Sequence, residues 1–584
     1  MQVPAHPNRD YAVDRRMLLL AGLAIPVGIL GTLAAWLLLT LIHLCTNLFF
    51  FQTFSTIEHS PALNHLGLWS ILVPVVGGLL VGLMARFGSE KIRGHGIPEA
   101  IEVILFAQSR MSAKVAVLKP LSSGLVIGSG GPFGAEGPII MTGGALGSLL
   151  AQHFHLSASE RKTLLVAGAT AGMTAVFGTP VAAVLLGVEL LLFELRARSL
   201  LAVAMACAVA GFARPLLLDA GPLFPLHTEV ASGLAFFSSI AVGVLAALLA
   251  AALSSALYAV EDLFHRLPLH WMWWPAIGGV AVGIGGWLQP RALGVGYDVI
   301  GDLLNHRLLL GAALALLAVK ATMWVIALGS GTSGGVLAPL LMIGAGLGTL
   351  LAPLLPGGDA ALWPLVGMAA MLASALGAPL TATVFAVGLT GDNNALLPLL
   401  LTCTVAHGLS VLMMRRSIMT ERLARRGRHV QREYSVDPLE HTRVDEAMTR
   451  DVQTIPAHTP LAEVRMNWFG VGQRHRAFAV VEDDGTYVGM LDVQRLSLPA
   501  HGALVASDLF IGTSAIAALP GETCRAVAQR MAAHQLERLP VLAPAGSRQL
   551  VGIVSRSDLL KPLQAHQDDD NVRERMLVWW QRNR

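Results

Sequence analysis

The chain has 584 residues, of which 54% are hydrophobic and only 14% are charged. That balance excludes a large soluble enzyme and points to a polytopic α-helical membrane protein. A net charge of +3 gives no reason to expect a nucleic-acid partner. The four cysteines, Cys45, Cys207, Cys403 and Cys524, are scattered without disulfide or metal-ligand spacing, so neither a metal nor an obligatory cofactor is expected.

Residues 1–16 are polar and carry Arg9, Arg15 and Arg16 just before the first apolar run, which places this end in the cytoplasm by the positive-inside rule. The run from Met17 to Phe51 is too long for a signal-peptide core and reads as one long helix. Leu66 to Arg86 is a second span. The Gly/Pro break from Lys91 to Glu99 leads into the short apolar piece Ala100–Ala107, and Arg110, Lys114 and Lys119 mark a cytoplasmic return. Helices continue to about Arg198, and a first half closes near residue 220. A second half begins near Gly233, with a long helix over Phe236–Phe264 and an interfacial aromatic cluster at His270–Pro275. It ends at the basic run Arg415–Arg428, which puts the exit on the cytoplasmic side. The membrane part is thus 17–428, in halves of about 17–220 and 233–428.

Two stretches within this region cannot be plain helices. Gly128–Pro138 has five glycines and two prolines and precedes an apolar run, as a loop feeding a helix N-terminus does. Irregular backbone at membrane depth survives only where protein buries it or water lines it. Amides at a helix start attract an anion, and Glu136, in that first turn, would compete for them. Gly329–Pro339 repeats the pattern: Ser129 and Ser330 are related by a shift of 201 (330 − 129), which Pro138/Pro339, Gly143/Gly344 and Gly147/Gly348 keep. Gly178-Thr179-Pro180 matches Gly377-Ala378-Pro379 with a shift of 199 (377 − 178). Glycine-broken apolar segments at matching places in two halves point to a transport site at the repeat interface. The position matching Glu136 holds Leu337, so the repeat is symmetric in backbone and asymmetric in charge.

Residues 429–442 read as a linker. Two soluble α/β units follow, 443–500 and 501–563, each with the order strand, helix, strand, strand, helix. The tail 564–584 is charged, with a short docking helix expected at Met576–Trp580.

With Gly94-His95-Gly96-Ile97-Pro98, Gly134-Ala135-Glu136-Gly137-Pro138 and Gly335-Val336-Leu337-Ala338-Pro339 in that order, the chain resembles the CLC family of chloride channels and chloride/proton exchangers with a C-terminal pair of CBS domains. The resemblance covers nearly the whole chain. It implies two halves of opposite membrane orientation and a homodimer with one chloride pathway in each subunit. Residence in the plasma (inner) membrane, with both termini cytoplasmic, goes with this reading. Glu136 matches the family's gating glutamate, which fills an anion site when ionised and leaves when protonated. Gly134, Ala135, Gly137, Gly335, Val336 and Leu337 match the anion-coordinating loops. His95 stands where the family usually has an anion-facing serine.

Two features linked to proton exchange are missing by the same comparison. By the resemblance, Met419 stands at the position of a tyrosine near the last helix. Counting from Pro180, the inner proton-transfer glutamate falls on Leu190, with Glu189 just before it as the remaining proton-path candidate. Passive chloride conduction is therefore favoured over proton-coupled exchange. In the second soluble unit, Ser555 and Asp558 fit the phosphate- and ribose-contacting pattern of CBS domains, whereas the first unit has Asp492 and Arg495 there. This implies at most one adenine-nucleotide site.

Plainer roles compete for each residue. Glu136 could simply cap its helix, His95 could be a satisfied loop histidine, and Glu189 could be paired at the subunit interface. Glu194 reads as a plain ion-pair partner, Met419 as packing, and the CBS pair could be purely structural. An intramembrane metalloprotease would need His-Glu-x-x-His, which is absent. A CBS-regulated cation transporter would need clustered acidic oxygens along the membrane part, which has few.

Overall fold

The computed structural model describes residues 16–564 apart from 415, 429–436, 471, 472, 474, 498–503, 511–515 and 544–546. The N-terminal segment before Arg16, the basic-run residue Arg415, most of the linker, and the tail with its expected helix at Met576–Trp580 lie outside the described residues. The described residues divide into two compact units, one within 16–428 and one within 437–564.

The first unit is all helix. In chain order its helices are α1 Arg16–Thr46, α2 Leu72–Phe87, α3 Ile97–Phe106, α4 Ala113–Gly128, α5 Glu136–Gln152, α6 Ala158–Phe177, α7 Pro180–Leu186, α8 Ala197–Leu217, α9 Ala235–His265, α10 Trp274–Leu288, α11 Tyr297–Leu304, α12 Leu310–Gly329, α13 Leu337–Leu351, α14 Leu362–Leu376, α15 Pro379–Thr390, α16 Leu396–Met413 and α17 Ile418–Arg425. Among the described residues, seven helical stretches are long and apolar enough to cross a membrane. The expected first span is α1 continued by the π-helical turn Asn47–Phe51, and the second is Gly67–Phe87. Short helices such as α3 and α11 do not span. The start of α3, Ile97–Ala100, is buried, where other loops can satisfy it, whereas its end at Leu105 and Phe106 is exposed.

The repeat is visible element by element, because α1–α8 recur as α9–α16. It extends further than the motifs alone suggest. Gly96 caps the start of α3 at φ 92°, and Gly296 caps α11 at φ 80°, a backbone region that side chains with a Cβ rarely enter. Small residues let paired helices touch backbone to backbone. A Cβ on Gly143 would collide with the Gly168 carbonyl across α5 and α6, and one on Gly344 would stand 2.5 Å from the Gly367 carbonyl across α13 and α14. The centre of this unit, with α5, α6, α13 and α14 almost wholly buried, is therefore close-packed in both halves in the same way.

The second unit is α/β. Strands β1 Thr454–Pro456, β2 Ala477–Val481 and β3 Tyr487–Asp492 form a sheet in which β1 runs parallel and β3 antiparallel to β2. β4 Arg538–Leu542 pairs antiparallel with β5 Leu550–Ser555. The first strand expected in the second repeat is reduced, among the described residues, to a single bridge between Ala518 and Val541. Ile455, Val464, Phe478, Val480 and Leu491 form one core, and Val527, Leu539, Val541 and Val554 form another.

Candidate functional site

The two glycine-rich loops meet at the middle of the helical unit. Gly134 and Gly335 exchange both backbone hydrogen bonds, at 3.2 and 3.0 Å, and Gly94 donates its N–H to the Thr332 carbonyl at 3.0 Å. The loop before α3, the loop before α5 and the loop before α13 are thus tied into one knot. A Cβ at Gly134 or Gly335 would run into the Glu136 carboxylate, so the close approach itself requires glycine.

Glu136 is fully buried. Its Oε1 accepts the N–H of Leu337, and that of Ala338 at 3.4 Å, while Oε2 has no partner among the described residues. A carboxylate from the start of α5 therefore sits on the N-terminal amides of α13. Bare burial of that charge would be costly, and the amides and the helix dipole offset it. An anion of similar size would find the same donors.

The expected amide donors divide in this conformation. Leu337 donates to Glu136, whereas the N–H groups of Gly134 and Gly335, expected among the anion donors, are spent on each other's carbonyls. Ala135 and Val336 stand at the N-cap positions of α5 and α13, and Gly137 follows in the first turn of α5. His95 is buried beside the Gly137 backbone, and its Nδ1 has no hydrogen-bond partner among the described residues. A buried ring nitrogen without a partner is unusual and leaves a donor or acceptor for a ligand.

Several residues of the site escape a motif search. Lys119 is not at a cytoplasmic return, as its charge suggests. It is fully buried within α4, where Nζ donates to the Ile92 carbonyl at 2.8 Å, the Gly94 carbonyl at 2.7 Å and Ser333 Oγ at 3.0 Å. It clamps the His95 loop to the loop before α13. Lys320 makes the matching carbonyl bonds within the other half, donating to the Ala292 and Gly294 carbonyls at 2.9 and 2.8 Å. Glu99 Oε2 accepts the Gly96 N–H at 2.9 Å. Its Oε1 receives Arg422 at 3.2 Å, and Arg422 also reaches Glu261 at 3.0 Å. Beside this triad lies a cavity of about 670 Å³ whose lining includes six arginines against four glutamates.

The remaining expected positions offer no further donor to the knot among the hydrogen bonds of the described residues. Met419 is buried and offers no donor. The nearby hydroxyl of Tyr258 is spent on the Ile418 carbonyl at 2.9 Å. Leu190 is fully buried in the π-helical turn Gly187–Leu192. Glu189, half-buried, accepts the N–H and the O–H of Thr381 at 2.9 and 2.6 Å. Glu194 is an ion-pair partner, of Lys162 at 3.3 Å and Arg196 at 3.7 Å.

In the α/β unit, Asp558 Oδ2 accepts Ser555 Oγ at 2.6 Å and its N–H at 2.8 Å, and Oδ1 accepts Lys561 at 2.6 Å. Burial pushes this carboxyl up, but the bonds from Lys561 and Ser555 more than offset it and hold it below its ordinary 3.8. A nucleotide would have to displace these internal partners. Asp492 caps a helix through the Arg495 N–H at 2.7 Å, and the Arg495 side chain reaches the Leu509 carbonyl.

Comparison with known proteins agrees with this architecture. The voltage gated chloride channel family profile matches residues 76–411, and the CBS domain profile matches 444–497 and 506–565. The voltage-gated ClC-type chloride channel ClcB of Salmonella dublin is 31% identical over 365 residues, covering 61% of this chain and 87% of the relative. A slow cyanobacterial Cl⁻/H⁺ antiporter shares the fold with a TM-score of 0.62 at 23% identity, over 71% of this chain and 99% of the other. A eukaryotic CLC transporter aligns over 93% of this chain and 99% of its own, with a TM-score of 0.59 at 18% identity. The chain belongs to the voltage gated chloride channel (CLC) family and carries a C-terminal pair of CBS domains.

Proposed function

We propose that the protein carries chloride across the membrane through the knot of loops around Glu136, and that this carboxylate is the gate. The observation that carries the reading is the seat of Glu136 on the amides of Leu337 and Ala338. Site and gate exclude each other there, because the ionised carboxylate satisfies the donors an anion needs. Protonation removes the charge, weakens its hold on the amides and frees them. The relatives named as chloride channels support the substrate.

Transport is passive on this reading. Leu190 cannot carry a proton, Met419 cannot donate, and the Glu189 carboxylate is engaged by Thr381. The protein works as a homodimer in the plasma (inner) membrane, with both termini on the cytoplasmic side. Anions reach the knot past the arginine-rich cavity beside Arg422, where an excess of positive charge raises their local concentration.

The test is a proteoliposome assay with a chloride gradient and a pH-sensitive dye. Chloride flux without stoichiometric proton movement is expected. Chloride-driven proton uptake that Glu136→Gln abolishes would move the protein to the exchanger branch. Absence of chloride flux in a preparation of folded protein would remove the transport reading altogether.

A further inference from the structure

Next to the arginine-rich cavity, a cleft of about 580 Å³ lies where the start of α1, the α3–α4 connection and the α5–α6 turn converge. Arg16, Arg110 and Arg161 line it together with Gln152, His155 and Glu160. The one carboxylate in this lining is already consumed. Glu160 takes Arg16 Nε at 2.7 Å and its second guanidinium nitrogen at 3.0 Å, and the Ser157 N–H at 2.7 Å. Arg110 and Arg161 have no carboxylate within ion-pair distance among the described residues.

Arg161 is the second and independent observation. It is only 8% exposed, yet its Nε has no hydrogen-bond partner among the described residues. A buried guanidinium with an idle N–H is costly unless something accepts from it. It sits in the first turn of α6, a helix of 20 residues, where the dipole also favours negative charge.

We propose that this cleft binds a phosphate group, held between Arg110 and Arg161 at the N-terminus of α6. The guanidinium fork matches the tetrahedral oxygens of a phosphate. The cleft is far larger than a halide needs, which separates it from the transported ion. It opens at the ends of apolar helices, on the face that carries Arg16 and Arg110, where the phosphate of an anionic lipid headgroup would lie. A free phosphate would present the same chemistry. Because Arg110 also lines the arginine-rich cavity next to Arg422, a phosphate here would draw on the field that attracts anions to the pathway.

The experiment uses the full-length protein in detergent micelles and follows its thermal unfolding. One arm titrates inorganic phosphate against sodium chloride at equal ionic strength. The other adds phosphatidylglycerol, with phosphatidylcholine as the zwitterionic control. A saturable rise in Tm is expected in at least one arm, with its midpoint shifted roughly tenfold or more in Arg161→Gln, the loss of one charge-assisted contact. Arg110→Gln gives the same reading should Arg161→Gln fail to fold. Response to the lipid alone identifies a headgroup, and response to inorganic phosphate identifies a soluble ligand. No response to either probe, or curves that coincide for the wild type and both variants, would overturn the site.

Discussion

The Glu136 carboxylate accepts the N–H of Leu337, the residue that stands in its own place in the other half of the repeat, 201 positions on. Each half builds a glycine-rich loop ahead of a helix, but only the first supplies a charge. That charge fills the helix start of the second. The asymmetry of a symmetric backbone therefore leaves the helix start of the second half donating to the carboxylate of the first.

The first prediction follows from this pairing. Glu136→Gln keeps the shape and one acceptor but loses the charge, which weakens the hold on the α13 amides by about 1–2 kcal/mol, roughly tenfold in occupancy of the closed state. Chloride efflux from liposomes at neutral pH should rise by that order; wild-type efflux should accelerate at acidic external pH, and that response should be absent in the variant. Flux and pH response indistinguishable from wild type would show that the carboxylate does not gate.

A second prediction separates the two buried lysines. Lys119 holds three acceptors and crosses between halves through Ser333, whereas Lys320 holds two carbonyls within its own half. Replacement by methionine strips two buried carbonyls of this donor in each case, at about 1–3 kcal/mol each, and in Lys119→Met also removes the tie to Ser333, which keeps Ser122 and Ser123. Lys119→Met should lower Tm in detergent more than Lys320→Met and should also cut chloride flux, because the His95 loop loses its anchor. Equal losses of stability, with flux intact in both, would reduce Lys119 to one more core residue.

Much of this site is legible in the sequence, for a physical reason. Gly, Pro and a misplaced carboxylate are the residues that irregular backbone at membrane depth requires, so Gly128–Pro138 and Gly329–Pro339 announce themselves. Lys119 does not, because charge alone reads as a loop marker. Its counterpart Lys320 at the same shift of 201 (320 − 119) is the signal that both belong to the interior. The Glu99–Arg422–Glu261 triad has no local pattern at all, since Arg422 lies 323 residues from one partner and 161 from the other. The amides of Gly134 and Gly335 show a further limit. A sequence gives the loop but not which N–H groups pair across it. In the α/β unit, continuous apolar runs mark β2 and β4 and alternation marks β3 and β5, but the short Ala518 bridge has too few residues to carry a pattern.

Asp558 supplies a pH-dependent prediction outside the membrane part. Its folded value lies below the ordinary 3.8, so it binds its proton less readily when folded. The stability it contributes is complete above the unfolded value and fades as pH falls through the lower folded one. Asp558→Asn should raise hydrogen–deuterium exchange across Leu550–Ser555 at neutral pH, by about 1–3 kcal/mol in opening free energy. The difference from wild type should shrink once the pH passes below both values. A gap that stays constant down to strongly acidic pH would mean that the Lys561 and Ser555 contacts do not depend on the charge.

The final prediction concerns Glu189, the residue next to the position where a proton-transfer glutamate would stand. In the π-helical turn after α7, Leu190 points into the core while Glu189 takes both the N–H and the O–H of Thr381 in the first turn of α15. The carboxylate therefore braces one half of the repeat against the other at the start of α15, where the helix dipole also favours it. On the passive reading, this brace contributes stability and carries no proton. Glu189→Gln should keep chloride flux within about twofold of wild type and lower stability by about 1–2 kcal/mol, the cost of replacing a charge-assisted hydrogen bond with a neutral one. Thr381→Val, which removes the hydroxyl but leaves the backbone N–H, should give a similar loss, and the double variant should lose less than the sum because both changes strike one contact. The opposite outcome is equally concrete. If wild-type liposomes take up protons against a chloride gradient and Glu189→Gln stops the protons while sparing chloride, then Glu189 leaves Thr381 during turnover and is the inner proton carrier, and the passive reading falls.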